Sequence, residues 1–212
     1  MNEHGIANLA PEEIERRSFA IITAELGDTP LLPGTEPVVK RVIHTTADFD
    51  YAANLRFSEG AVAAGVAAFR SGCAVVTDTR MAGAGVNKAA CREFGCEVHC
   101  HIGDEDVARA ARESGATRAR AAVDKAVSLH GDNAVYAVGN APTALIRLYE
   151  LIREGRVRPR LIIGVPVGFV NVVESKELIL GLAGVPFIVA RGRKGGSNVA
   201  AAICNALLYI KD

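Results

Sequence analysis

Short apolar runs alternate with helix-length amphipathic segments along most of the chain. Ala74–Thr79, Glu97–Ile102, Ala134–Val138, Leu161–Val165 and Phe187–Ala190 follow glycine or proline signals and have the length of buried strands. Between them, Ala82–Phe94, Asp104–Ser114, Ala119–Leu129, Pro142–Arg153, Phe169–Leu182 and Asn198–Ile210 carry apolar residues at the three- and four-residue spacing of helices. Parallel strands need such crossovers, so the pattern predicts a layered α/β fold with a mainly parallel sheet of about five strands. Upstream, Pro11–Leu26, Pro37–Leu55 and Ser58–Arg70 predict three further helices, with Pro11 suited to a first turn and Ser58 to a cap. Asp28–Pro37 holds three prolines and a glycine and reads as a loop. With no boundary rich in Ser, Pro or charge after residue 36, and no internal repeat, residues 1–212 are expected to form one domain.

Composition narrows the function classes. Half of the residues are apolar, and 24 Lys and Arg balance 24 Asp and Glu, which predicts a globular protein without the basic excess that nucleic acids or anionic membrane surfaces attract. The longest apolar stretches, Leu161–Val173 and Leu178–Ala190, contain Gly and Pro and fall short of a membrane span, so no membrane partner is expected. Met1–Leu9 lacks a basic head followed by an apolar run, which predicts a cytoplasmic location. Five cysteines without a C-x-x-C pair fit buried reduced thiols.

In an open parallel sheet the ligand sits at the carboxyl ends of the strands. Three following segments stand out. Gly139-Asn140-Ala141-Pro142-Thr143 offers Asn140 as a helix cap; Pro166-Val167-Gly168-Phe169 is a tight turn of low polarity. Arg191-Gly192-Arg193-Lys194-Gly195-Gly196-Ser197-Asn198 sets three cations and free backbone N–H groups before a helix, with no acidic residue between Glu177 and Asp212. That is the chemistry of a carboxylate or phosphate site. Gly83-Ala84-Gly85 lacks the remaining glycine of a dinucleotide fingerprint, because Lys88 stands there, and reads as a plain loop before a helix. In Cys96-Glu97-Val98-His99-Cys100-His101, strand alternation sends the cysteines to one face and Glu97, His99 and His101 to the other, so no metal site is expected.

Two polar features lie on helices. Ser18 shares a stripe with Ile14, Ile21 and Ile22, beside Arg17, a pairing that suits capping of backbone groups or a grip on an acidic ligand. His44 points away from the stripe of Val38, Val39, Val42 and Ile43; as a histidine it is the side chain suited to move protons both ways near neutral pH.

The blocks Glu15-Arg16-Arg17-Ser18-Phe19-Ala20-Ile21-Ile22, Arg41-Val42-Ile43-His44, Ala137 to Leu145, Gly164 to Val170, Glu174-Ser175-Lys176 and Arg191-Gly192-Arg193 before Gly195-Gly196-Ser197 occur in the order found in precorrin-8X methylmutases. From residue 12 to about residue 205 the chain resembles that family. The resemblance implies a flavodoxin-like three-layer α/β/α fold, a homodimer, a tetrapyrrole substrate and no organic cofactor. The implied reaction moves the methyl group at C-11 of the macrocycle to C-12, giving hydrogenobyrinic acid or its cobalt counterpart, cobyrinic acid. It places the catalytic histidine at His44, a neighbouring serine at Ser18 and a substrate-side arginine at Arg118. Arg17, Asn140, Thr143, Arg191, Arg193 and Ser197 are the further residues expected to meet substrate carboxylates. A tetrapyrrole carrier without catalysis is the alternative on the same fold, and a flavin- or nucleotide-binding protein a weaker third, against which the failed glycine fingerprints speak.

Overall fold

The computed structural model describes residues 9–211. Three helices open the chain, α1 (Pro11–Leu26), α2 (Glu36–Thr46) and the short α3 (Asp50–Asn54), followed by strand β1 (Leu55–Phe57) and α4 (Ala61–Arg70). The alternating part then runs β2 (Ala74–Thr77), α5 (Arg80–Gly85), α6 (Lys88–Glu93), β3 (Glu97–His99), α7 (Glu105–Ser114) and α8 (Arg118–His130). It continues through β4 (Ala134–Val138), α9 (Pro142–Arg153), β5 (Leu161–Gly164), α10 (Val172–Leu180), β6 (Phe187–Ala190) and α11 (Ser197–Tyr209).

The sheet has six strands in the order β1-β6-β5-β4-β2-β3, parallel throughout except where β1 pairs antiparallel with β6. The expected five are thus joined by β1, which starts at the last residue of the segment predicted as helix Pro37–Leu55. Its three residues are too few for alternation to register, and pairing with Ile188–Ala190 supplies what local sequence does not. Ser58 serves that pairing rather than a helix cap: its Oγ accepts the Phe187 N–H at 2.9 Å, and Gly60 precedes α4. The predicted helix Ala82–Phe94 is likewise two helices, since Asn87 turns its side-chain oxygen onto the N–H groups of Ala89 and Ala90 and starts α6 afresh.

Both faces of the sheet are covered, which is why the strands read as continuous apolar runs. Side chains alternate between two cores. Val135, Ala137, Leu161 and Ile163 pack with α2, α4 and α11, whereas Tyr136, Val138, Ile162 and Val189 pack with α8, α9 and α10. Helix α11, rich in alanine, lies buried along most of its length against α2, α4 and α5. The structure leaves all five cysteines as free thiols, four of them buried; burial pushes the Cys73, Cys91, Cys96 and Cys204 thiols above their usual range.

Three interactions hold the strand ends together. A side chain at Gly195 would overlap the Val165 carbonyl, and the next N–H, that of Gly196, donates to the same oxygen at 2.9 Å, so the loop after β6 lies directly on the end of β5. Asp78, just past β2, accepts the N–H groups of Gly139, Asn140 and Ala141 at 2.7 to 2.9 Å and thereby shapes the turn after β4. Burial raises its carboxyl pKa, opposed by those three donors. Lys176 of α10 is fully buried and donates to the carbonyls of Gly192 at 2.7 Å and Lys194 at 2.8 Å. Two hydrogen bonds are as many as a neutral amine can donate, so they survive deprotonation.

Burial lowers the Lys176 pKa from 10.5 to about 8. Across that interval the unfolded chain binds the proton and the folded chain releases it, so stability rises with pH. Wild type should therefore gain roughly 2 kcal/mol relative to Lys176→Met between about pH 8 and about pH 10. Paired urea titrations at the two pH values read this directly, and a constant difference between the proteins would contradict it.

Candidate active site

Of the candidate residues, Asn140 and Thr143 follow the carboxyl end of β4, and Arg191, Arg193 and Ser197 follow that of β6, whereas Arg17 and Ser18 belong to α1, His44 to α2 and Arg118 to α8. His44 sits in the last turn of α2, exposed, because Val38, Val39, Val42 and Ile43 turn the other side of that helix into the core. Its ring stacks on Phe19 of α1, with centroids 5.1 Å apart and planes 6° from parallel. Among the described residues no Ser, Thr or Cys side chain hydrogen bonds to His44 and no carboxylate forms an ion pair with it. Among these residues nothing sets the imidazole up to activate a protein nucleophile.

Ser18 neighbours Phe19 and is half-buried, its Oγ donating to the Ile14 carbonyl at 2.8 Å. The apolar stripe expected around it is only partly a core face. Ile22 is buried, while Ile14 and Ile21 are about half exposed, at 51% and 50%. Arg17 is exposed and makes no ion pair among the described residues. The ordered arginine of this region is Arg41, which the sequence reading left without a role: it pairs with Glu15 at 2.5 Å and lies 4.6 Å above the Phe19 ring.

On the other side of the sheet, Arg118 is the first residue of α8 and is exposed. Thr117 caps this helix by accepting the Arg120 N–H at 3.2 Å and donates its own hydroxyl proton to Thr143 Oγ1 at 2.9 Å. Arg118 and Thr143 are thereby brought to one edge. The two helices are further tied by Arg120 with Glu150, at 2.6 and 3.0 Å, and by Arg147 with Asp124 at 2.8 Å. Asn140 is exposed beside them but does not cap α9, whose first turn follows Ala141; the backbone there is served by Asp78, from 61 to 63 residues away.

The cationic loop is more constrained than its composition suggests. Arg191 is paired with Glu177 at 2.8 Å, a residue at the edge of the acid-free stretch, so it is not the free cation expected. Lys194 reaches Asp48 and Asp50, each at 2.6 Å, and those hydrogen bonds hold its pKa up and that of Asp48 down. Arg193 remains without a carboxylate among the described residues and lies 5.4 Å over the exposed Phe169 ring. Ser197 shares a hydrogen bond of 2.7 Å with Thr79 Oγ1, joining the loop after β6 to the one after β2.

Two features seen in the sequence sit differently in space. Gly83-Ala84-Gly85 lies within α5 rather than in a loop, with buried Gly83 facing Thr77, and makes no phosphate cradle. The His99 and His101 rings do share one face, and α8 adds His130 to them, a partner that strand alternation has no means of showing. One ring nitrogen from each lies within 4.8 Å of the others. Burial and the neighbouring imidazoles lower the His130 pKa. Among the described residues these three could hold a metal, whereas the segments after β4 and β6 offer hydroxyls and guanidinium groups.

Comparisons with known proteins identify the family. The sequence model of the family described as precorrin-8X methylmutase matches residues 13–210. A cobalt-precorrin-8 methylmutase of Priestia megaterium is 45% identical, covering 95% of this chain and 89% of its own. A precorrin-8X methylmutase of Pseudomonas aeruginosa is 42% identical, covering 92% of this chain and 94% of its own. Among solved structures, the precorrin-8X methylmutase of Thermus thermophilus superposes with a TM-score of 0.86 at 46% identity, over 93% of this chain and 94% of that one. With a matching family model over nearly its whole length and relatives of this identity, the chain belongs to the precorrin-8X methylmutase family.

Proposed function

We propose that this chain, as a single domain spanning 1–212, moves the methyl group at C-11 of precorrin-8X or its cobalt form to C-12, with His44 as the proton donor and acceptor. It is an isomerase of cobalamin biosynthesis. The observation that carries the assignment of the site is the Lys194 bridge. By gripping Asp48 and Asp50, Lys194 joins the segment just beyond His44 to the loop bearing Arg193, which supports a shared site for the proton carrier and the cationic loop.

The chemistry asks little of covalent catalysis. A [1,5]-sigmatropic methyl shift has no leaving group and breaks and remakes one carbon–carbon bond within the substrate. Protonation of a ring nitrogen drains electron density from the neighbouring carbons and eases the migration, and the same base recovers the proton afterwards. An exposed imidazole backed by an aromatic ring, with no hydrogen-bonding side chain upon it among the described residues, suits both halves of that exchange. Arg193 and Arg118 would take the peripheral carboxylates, with Arg17, Thr143 and Asn140 as further polar contacts. Arg191 and Ser197, already engaged with Glu177 and Thr79, contribute more to loop shape.

A cytoplasmic homodimer completes the reading. No helix among the described residues is long and apolar enough to cross a membrane. Apolar surface remains on the helical flank: Ile14 and Ile21 of α1, and a cleft of about 920 Å³ lined by Leu32, Pro33, Val62, Val66 and Ala67. Surface of that kind, beside small residues of α4, supports close contact with a second copy. Light scattering should give twice the chain mass at micromolar concentration, and a single-chain mass would remove the dimer.

His44→Ala should lose roughly 10² to 10⁴ in turnover while binding the corrinoid product within a few-fold of wild type. The spectral change on adding precorrin-8X or its cobalt form measures the first and titration with product the second; wild-type turnover by the folded variant would refute the role. Arg118→Ala and Arg193→Ala should each weaken product binding by about 1.5 to 3 kcal/mol, and Arg191→Ala by less, since its guanidinium is already neutralised. Equal losses at all three positions would mean that the Glu177 pair opens for substrate.

A further inference from the structure

Three of the five histidines of the chain meet at the outer margin of the sheet, beside the edge strand β3. His99 ends the edge strand β3, His101 follows it, and His130 ends α8, at the opposite end of that helix from Arg118 and roughly 18 Å from it along the axis. We propose that His99, His101 and His130 form a binding site for one divalent transition-metal ion of the zinc class, held by three imidazole nitrogens with the fourth position open to water.

The donors are close to the spacing such an ion imposes. Metal–nitrogen bonds of about 2.0 to 2.1 Å in tetrahedral array set the nitrogens about 3.3 Å apart. The Nε2 atoms of His101 and His130 stand 3.2 Å apart, and the donor atoms of all three lie within 4.8 Å, so a modest turn of one ring closes the set. The rings already stack and tilt upon one another, with centroids 4.3 to 6.1 Å apart.

The surroundings of His101 are those of a metal ligand. Asp104 Oδ2 accepts from its Nδ1 at 3.0 Å, which fixes the tautomer and leaves the Nε2 lone pair directed at His130. Asp104 is in turn held by Lys125 at 2.7 Å, and Lys125 also binds Asp106 at 2.8 Å. A carboxylate anchored on one side of an imidazole, with other imidazoles on the other, is the second-shell arrangement that orients a ligand and raises its basicity. Neutral nitrogen donors favour zinc, cobalt, nickel or copper over magnesium or calcium, which require oxygen. The bound ion would pin the sheet edge at β3 to the end of α8 and take no part in the methyl shift.

The test uses the full chain without a histidine tag, stripped by a chelator and titrated calorimetrically with Zn²⁺. One equivalent should bind, and the unfolding temperature should rise with added Zn²⁺. The Co²⁺-loaded protein should show the visible absorption of a four-coordinate site. His101→Gln and His130→Gln, verified as folded by circular dichroism, should lose both the binding and the thermal shift. Asp104→Ala should weaken binding about 10- to 100-fold, and Cys100→Ser should leave it unchanged. Absence of uptake by the wild type would mean that a plain N–H···N hydrogen bond joins His101 and His130. Uptake that persists in His130→Gln or vanishes in Cys100→Ser would place the ion elsewhere. Any of these results overturns the site.

Discussion

The carbonyl of Val165 is the point on which the carboxyl edge is built. Gly195 passes so close that a methyl group there has no room, and Gly196 donates its N–H to the same oxygen. Gly139 meets the same crossing from the other side: a Cβ there would stand 2.8 Å from the Gly196 carbonyl oxygen. The loops after β4, β5 and β6 are therefore stacked backbone on backbone. The exposed positions of Arg193 and Asn140 follow from this contact more than from any interaction of their own.

Charges at this edge divide into those that shape it and those left for a ligand. Asp78 and Lys176 are buried, and each spends its hydrogen-bonding capacity on backbone groups of the loops. Removing either would leave buried donors or acceptors unpaired, which costs about 1 to 3 kcal/mol per group. Lys194 and Arg191, on the surface, are matched to Asp48, Asp50 and Glu177, pairs that guide loop position and add little stability. Arg118 and Arg193 have no carboxylate partner among the described residues, and in the proposed function they are the groups offered to the carboxylates of the macrocycle.

Much of the fold was legible where local rules coincide with the tertiary result. Pro11 and Pro142 open α1 and α9 where the sequence places them, and the apolar runs Ala134–Val138 and Phe187–Ala190 are strands end to end. What escaped was decided by partners distant in sequence. β1 exists because β6 offers an edge, and Asn87 divides one predicted helix in two. For the site, His44 and Arg118 were accessible through the resemblance. Asp78 and Lys176 were not, since a single charged residue next to an apolar run has no local sign of the backbone groups it will serve. The one available signal was a charge set where both faces are covered. Reading Arg191 as free overlooked Glu177, which lies one helix back and 14 residues earlier.

The two margins of the sheet differ in direction but share a design. β1 and β3 have three residues apiece, and each carries an exposed charge, Arg56 on one and Glu97 on the other. Short charged margins offer a poor template for an incoming strand, because few backbone groups are free and a like strand would bring like charges together. The sheet is therefore poorly suited to lateral growth, and a second copy would have to meet this chain through its helices.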